Sequence, residues 1–173
     1  MAGETVCIDD EIPFELPEGW AWARLNAICV MSAGKSKPTS EISNEPFDSS
    51  YPCYGGNGVR GYVKEYSHDG TFSIIGRQGA LCGNVNIANG QFYATEHAVA
   101  VSLFRGIDFS WSYYILKALD LNSYAAGAAQ PGLSVANILR IIVPVPPKQE
   151  QQRIAAKIIE MKKQLNCIAE SLS

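Results

Sequence analysis

The sequence predicts an α+β fold with a mixed, mostly antiparallel curved sheet, a few helices, and a long C-terminal helix of the coiled-coil type. Between Tyr51 and Phe104, short runs of β-branched and aromatic residues alternate with glycine turns, as in a curved antiparallel sheet. Near the C-terminus, apolar residues recur at steps of four and three, the 3.5-residue period of paired helices. With 173 residues, the chain suits one domain with an appendage.

The N-terminal segment combines an acidic leader, residues 1–15, with a first strand. Residues 16–19 (Leu-Pro-Glu-Gly) indicate a turn. The strand predicted over residues 20–25 places Trp20 and Trp22 on one face, where we expect them to anchor the core. A polar segment then extends over residues 32–50, and loops of that length inside a domain often carry function.

Five strands are predicted in the central region, over residues 51–54, 59–63, 72–75, 81–87 and 92–104. A helix is predicted over residues 108–121, with Asp108 or Ser110 as its N-cap. One more strand, residues 138–143, precedes three prolines, of which Pro147 is placed to open the final helix. We therefore expect a domain over residues 1–146 and a dimerisation helix over residues 147–173.

The final helix carries an apolar seam that predicts a partner helix. Its residues are Ile154, Ile158, Met161, Leu165, Ile168 and Leu172. A lone helix of this kind would leave an apolar stripe in water. The seam therefore predicts pairing.

Composition and charge limit the class of protein. The net charge is −3, but the first 20 residues hold six acids and no base, so the remainder carries 14 bases against 11 acids, a net +3. Binding to phosphates depends on the local field, so DNA remains compatible. No apolar run approaches the roughly 20 residues that cross a bilayer. The acidic start is unlike a signal peptide, and we expect a cytoplasmic protein.

Patterns for catalysis, nucleotides and metals are weak in this sequence. Gly34-Lys35-Ser36 lacks the first glycine of a P-loop, because position 29 is Cys. His68 and His97 accompany no nucleophile signature, and a core or turn histidine explains each better. The five cysteines are far apart without a CxxC pair, which favours buried, reduced thiols over zinc ligands. We expect no catalytic residues and no metal ligands.

Two glycine-hinged loops display side chains that suit DNA bases. Residues 51–62 present Asn57 and Arg60, and residues 75–84 present Arg77, Gln78 and Asn84. Arginine pairs with guanine, and asparagine or glutamine with adenine, through two hydrogen bonds each. A structural hairpin turn explains either loop alone equally well. Both loops together, with Lys35 and Lys37 upstream, favour a nucleic-acid surface in which the lysines contact phosphates and the other five include base readers.

Five sequence blocks occur in an order that resembles a known family. They are residues 16–25 (LPEGWAWARL), 51–62, 75–84, 129–134 (AQPGLS) and 141–153 (IIVPVPPKQEQQR). Together they resemble the target recognition domain and spacer helix of the DNA specificity subunit of type I restriction-modification systems. The resemblance extends over nearly the whole chain, from about Ile12 to Leu172.

We expect residues 130–134 to form the turn that aims the last strand, with a loop near DNA as the alternative.

The resemblance implies a noncatalytic subunit that reads double-stranded DNA. In this family two recognition domains each read half of a split site, and two helices hold them apart. The modification subunit methylates adenine from S-adenosylmethionine, and the restriction subunit cleaves, so S-adenosylmethionine, ATP and Mg are expected on partner subunits. This chain has one domain and one helix, which fits a natural half-length subunit, a truncated product or an excised piece.

The length of the helix leads to a dimer hypothesis. Lys148 to Leu172 is 25 residues, or about 38 Å, close to one turn of B-DNA at roughly 34–36 Å. Antiparallel pairing of two chains would rebuild the family's arrangement, so we predict a homodimer that reads an inverted split site. The alternative is a protein-interaction module that recruits a partner through its heptad helix without binding DNA.

Overall fold

A computed structural model describes residues 7–79, 81–127 and 132–172. The strands are β1 (Ala21–Arg24), β2 (Cys29–Ala33), β3 (Tyr51–Gly55), β4 (Gly58–Val63), β5 (His68–Gly76), β6 (Val85–Ala94), β7 (Ala98–Leu103) and β8 (Ile142–Val145). The α-helices are α1 (Phe109–Ala118), α2 (Val135–Ile138) and α3 (Lys148–Ser171). Ala129, Gln130 and Pro131, which belong to one of the family-like blocks, lie outside the described residues.

The main sheet has six strands in the order β2-β7-β5-β6-β3-β4. Its neighbouring strands are antiparallel except for β3 and β6, which pair in parallel at Cys53 and Tyr54. A bulge between those two residues bends β3 where it turns toward β4. A second, two-stranded sheet joins β1 to β8. The predicted fold class, a mixed and mostly antiparallel sheet with a long C-terminal helix, is confirmed.

The largest apolar cluster lies between one face of the sheet and the helices. Helix α1 contributes Trp111 and Leu116, and α3 contributes Ala155, to a cluster that includes residues of β2 and β7. Asp108 is the N-cap of α1, as predicted, and its Oδ1 accepts a hydrogen bond from Trp111 N at 3.0 Å. The helices therefore share one core with the sheet.

Three predicted strands differ from the structure for local reasons. The run over 92–104 is interrupted by a turn in which Ala98 N donates to Thr95 O at 2.9 Å. The start of the 81–87 run is also a turn, and β6 begins at Val85. The run over 138–143 is divided between α2 and β8, because short apolar runs do not distinguish a strand from a buried helix.

The two tryptophans of the first strand region are half-buried and do not anchor the core as expected. Trp22 instead packs against the leader. Its Nε1 donates to Phe14 O at 3.1 Å, and the two rings meet edge to face with centroids 5.0 Å apart. Arg24, two residues later, forms an ion pair with Glu11 of the leader. The described part of the leader is thus attached to β1.

Helix α3 buries side chains against its own domain in its first turns. Gln151 and Ala155 are buried, and Ile154 packs against the main core. Farther along, Lys162 Nζ lies 4.8 Å from the ring centroid of Tyr114 on α1. Beyond this point the helix is exposed on all sides.

The predicted seam is therefore divided in two. Ile154 contributes to the intramolecular core and Ile158 is half-buried. The exposed remainder consists of Met161, Leu165, Ile168 and Leu172, at 52%, 63%, 56% and 82% exposure. Within the described residues, no helix has the length and apolar character needed to cross a bilayer.

Thiol reactivity is expected to follow burial. Cys29, Cys53 and Cys82 are buried, whereas Cys7 and Cys167 are exposed, contrary to the expectation of buried thiols throughout. Burial raises the pKa of Cys29 to about 11 and also raises the pKa of Cys53 and Cys82. Because the thiolate is the reactive form, a disulfide reagent at pH 8 should modify two thiols rapidly and the other three only after unfolding. Rapid modification of three or more thiols in the folded chain would contradict this burial.

Candidate nucleic-acid interface

The two predicted glycine loops meet through their backbones. An alanine Cβ at Gly76, the last residue of β5, would lie 1.9 Å from Gly56 O in the turn between β3 and β4. Glycine is needed here because the two backbone segments lie closer together than a side chain would permit. Asn84 Nδ2 also donates to Asn57 Oδ1 at 3.2 Å across the same junction. The structure thus brings the loops together at one end of the sheet.

The five predicted base readers all lie on this paired-loop surface, defined as residues 55–60 and 76–84 without residue 80. Asn57, Arg60 and Gln78 are exposed, and Arg77 and Asn84 are half-buried. The hydrogen bond between the two asparagines uses the NH2 group of Asn84 and the carbonyl oxygen of Asn57. Asn57 Nδ2 and Asn84 Oδ1 therefore remain as the donor and the acceptor that suit a base edge.

The two arginines of this surface differ in how they are held. Arg60 Nη2 donates to Thr39 Oγ1 at 2.9 Å, which ties β4 to the polar segment after β2. Arg77 is fixed through its main chain, since its N donates to His97 O and its O accepts from Leu133 N, each at 2.9 Å. Its side-chain Nε donates to Leu133 O at 3.3 Å. Arg77 is therefore the more rigidly placed of the two.

The two predicted phosphate lysines lie in different environments. Lys35 is exposed beside the end of β2, and its main-chain N donates to Ala94 O at 3.2 Å. Lys37 Nζ lies 2.8 Å from carboxylate oxygens of both Glu41 and Glu65. The hydrogen bond to Glu41, followed in size by the one to Glu65, raises the pKa of Lys37. The Lys37 side chain is only 12% exposed. Its charge is neutralised locally, which favours Lys35 as the phosphate contact.

The turn between β6 and β7 adds polar groups that the sequence interpretation missed. Ser36 Oγ donates to Glu96 Oε1 at 3.2 Å, and His97 Nε2 lies 3.5 Å from the same oxygen. Glu96 Oε2 and His97 Nδ1 are buried atoms without a hydrogen-bond partner in the described part of the chain. In the sequence, the polar residues 95–97 (Thr-Glu-His) interrupt an otherwise apolar run, and this interruption indicates a turn. His97 is a turn histidine, as predicted.

The described residues contain no cluster of three or more His, Cys, Asp or Glu side chains that could hold a metal ion. What the paired-loop surface offers is a set of hydrogen-bonding groups on closely packed backbone. Amide and guanidinium groups, which this surface carries, are types that contact base edges.

Comparison with known proteins identifies the family. The family model described as "Type I restriction modification DNA specificity domain" matches residues 17–169. The Escherichia coli protein "Type I restriction enzyme EcoprrI specificity subunit" is 48% identical over 147 residues, 84% of this chain and 37% of that protein. A putative type I restriction enzyme specificity subunit of Haemophilus influenzae is 30% identical over 139 residues, 72% of this chain and 36% of that protein. The chain thus spans little more than a third of these relatives.

Solved structures agree in fold. The S subunit of a type I restriction-modification system from M. genitalium matches with a TM-score of 0.73 and 18% identity, over 91% of this chain and 43% of that one. The HsdS subunit from Thermoanaerobacter tengcongensis matches with a TM-score of 0.73 and 20% identity, over 93% and 42%. The family model and the E. coli relative together show that this chain belongs to the family of type I restriction-modification DNA specificity domains.

Proposed function

We propose that this chain recognises one half of a split DNA site within a type I restriction-modification complex and directs adenine methylation and cleavage by partner subunits. The observation that carries the proposal is the paired-loop surface, where Asn57, Arg60, Arg77, Gln78 and Asn84 converge in a chain of this family. The alternative, an interaction module that does not bind DNA, gives no role to this convergence of base-matching groups.

Each group on the surface has a role in the proposal. Arg60 and Arg77 suit guanine, and the amides of Asn57, Gln78 and Asn84 suit adenine. Lys35 contacts the phosphate backbone. Lys37 instead pairs with the carboxylates of Glu41 and Glu65 and so holds the 3-10 turn Thr39–Glu41 in place.

The chain itself is proposed to be noncatalytic and to work through partners. A modification subunit with S-adenosylmethionine and a restriction subunit with ATP and Mg would supply the chemistry. The exposed part of the α3 seam would pair with a second copy of the chain, giving a homodimer with a two-fold axis. The names of the relatives, which describe specificity subunits of type I restriction enzymes, support the role within such a complex.

The salt dependence of DNA binding tests the proposal with a matched pair of lysine variants. Lys35→Ala should weaken binding to all duplexes alike and reduce the slope of log K against log salt by about 0.9, because one phosphate contact is lost. Lys37→Ala should leave the slope unchanged, since that charge is already paired with Glu41 and Glu65. The measurement is duplex binding over a salt series with the chain and its modification subunit.

Two results would contradict this assignment. Absence of binding to any duplex at low salt, with and without the modification subunit, would favour the interaction module. A reduced slope in Lys37→Ala with an unchanged slope in Lys35→Ala would reverse the roles of the two lysines.

A further inference from the structure

Helix α3 is tied to the domain by a glutamine side chain that is almost fully buried. Gln151 is 2% exposed and lies one turn into the helix. Its Oε1 accepts a hydrogen bond from Asp108 N at 2.7 Å, and its Nε2 donates to Pro146 O at 2.9 Å. Buried side-chain amides are uncommon, and this one satisfies two main-chain groups that would otherwise be unpaired.

These two bonds connect the parts of the molecule that determine where α3 points. Asp108 is the N-cap of α1, and Pro146 lies two residues before the first residue of α3. Gln151 therefore joins the N-terminus of one helix, the turn that leads into the other, and α3 itself. Ile154 and Ala155 form apolar contacts on the next turn, and such contacts do not depend on direction. Hydrogen bonds define the orientation of the helix more closely, because they depend on distance and angle.

The length of α3 amplifies any change at this point. About 20 residues follow Gln151 in the helix, so its exposed end lies roughly 30 Å away. A tilt of about 10° at Gln151 would move that end by about 5 Å, at 1.5 Å rise per residue. DNA rises about 3.4 Å per base pair, so this tilt corresponds to one or two base pairs.

We propose that Gln151 is a positioning residue that sets the direction of the spacer helix and thereby the length of the gap between the two halves of the DNA site. The inference rests on the proposed function, in which α3 separates two readers. Gln151 does not touch DNA in this account; it acts through the orientation of α3.

The direction of α3 can be measured without DNA. In a Cys7→Ser background, nitroxide labels on Cys167 of α3 and on a Val30→Cys substitution in β2 report one distance within the chain. Both positions are exposed, and dilution with unlabelled chain removes distances between copies. Gln151→Met keeps a side chain of similar length but forms neither hydrogen bond. It should shift or broaden this distance by up to about 4 Å, because Cys167 lies 16 residues beyond Gln151, about 24 Å along the helix, and a tilt of about 10° displaces it by that amount. Gln152→Met, the same change on the neighbouring exposed residue, should not.

The gap is measured by sequencing modified adenines in a host that expresses the chain with its modification subunit. Gln151→Met should retain both half-site sequences and shift or widen the gap by one or two base pairs, whereas Gln152→Met keeps the original gap. Gln151→Glu, which keeps the acceptor for Asp108 N, replaces Gln151→Met if the latter does not fold. An unchanged distance overturns the positioning role. A changed distance with an unchanged gap overturns the link to DNA spacing.

The two measurements separate this inference from the proposed function. If the unsubstituted chain gives no split motif, the proposed function fails, and the label distance still decides whether Gln151 directs α3.

Discussion

Replacing Gly76 with alanine is expected to lower the free energy of unfolding by about 3 kcal/mol, the upper end for overpacked sites. The added methyl group would lie 1.9 Å from Gly56 O, and the atom it meets is main chain that cannot rotate away. The two loops must separate, which also moves Asn84 away from Asn57. Chemical denaturation measures the loss of stability, and DNA binding measures the loss of the surface.

Gly55→Ala is the matched control for this prediction. A Cβ at Gly55 would lie 3.6 Å from Arg60 Cβ, an ordinary van der Waals distance. The free energy of unfolding of Gly55→Ala should stay within about 1 kcal/mol of that of the unsubstituted chain, because only the conformational propensity of the residue changes. Equal stabilities for the two variants would show that the loops are not in backbone contact at Gly76.

Charging the exposed part of the α3 seam is expected to abolish self-association. Leu165 and Ile168 are 63% and 56% exposed in the single chain, and burying each apolar side chain contributes roughly 1.5–3 kcal/mol. A symmetric pair buries both residues of each chain, four side chains in all. Leu165→Asp with Ile168→Asp should therefore raise the dimer Kd at least about a hundredfold. Light scattering at micromolar concentration measures the mass directly.

The control places the same charges on another face of the same helix. Asn166→Asp with Cys167→Asp alters exposed positions outside the seam, and this variant should remain a dimer. A monomeric mass for the unsubstituted chain at micromolar concentration, with no other pairing partner present, would contradict the homodimer.

Local patterns predicted the parts of the fold that local forces determine. The Asp108 cap and the helix start after Pro147 were found because capping and proline effects act within a few residues. The turn at residues 95–97 was missed because β-branched and aromatic residues on both sides favoured one continuous strand. The division of the 138–143 run was missed because its apolar residues suit a helix and a strand equally.

The site was predicted as a set of loops, and its arrangement came from the structure. Nothing in the sequence near Lys37 places Glu65 against it, because that ion pair joins residues 28 positions apart. The contact of Gly76 with Gly56 likewise depends on how β5 and the turn after β3 come together. Ile154 fitted the heptad seam by spacing alone, but packing against the core gives it an intramolecular role.

Selection from a pool of random-sequence duplexes tests the central claim most directly. The chain with its modification subunit should retain duplexes that share two short sequence blocks in inverted orientation, separated by an unspecified gap. Alanine at Asn57, Arg60 and Gln78 together should remove the preference at particular bases, at about 1–3 kcal/mol for each position, while salt-sensitive binding persists. Retained duplexes with no common sequence, or a preference unchanged by the three substitutions, would contradict the account.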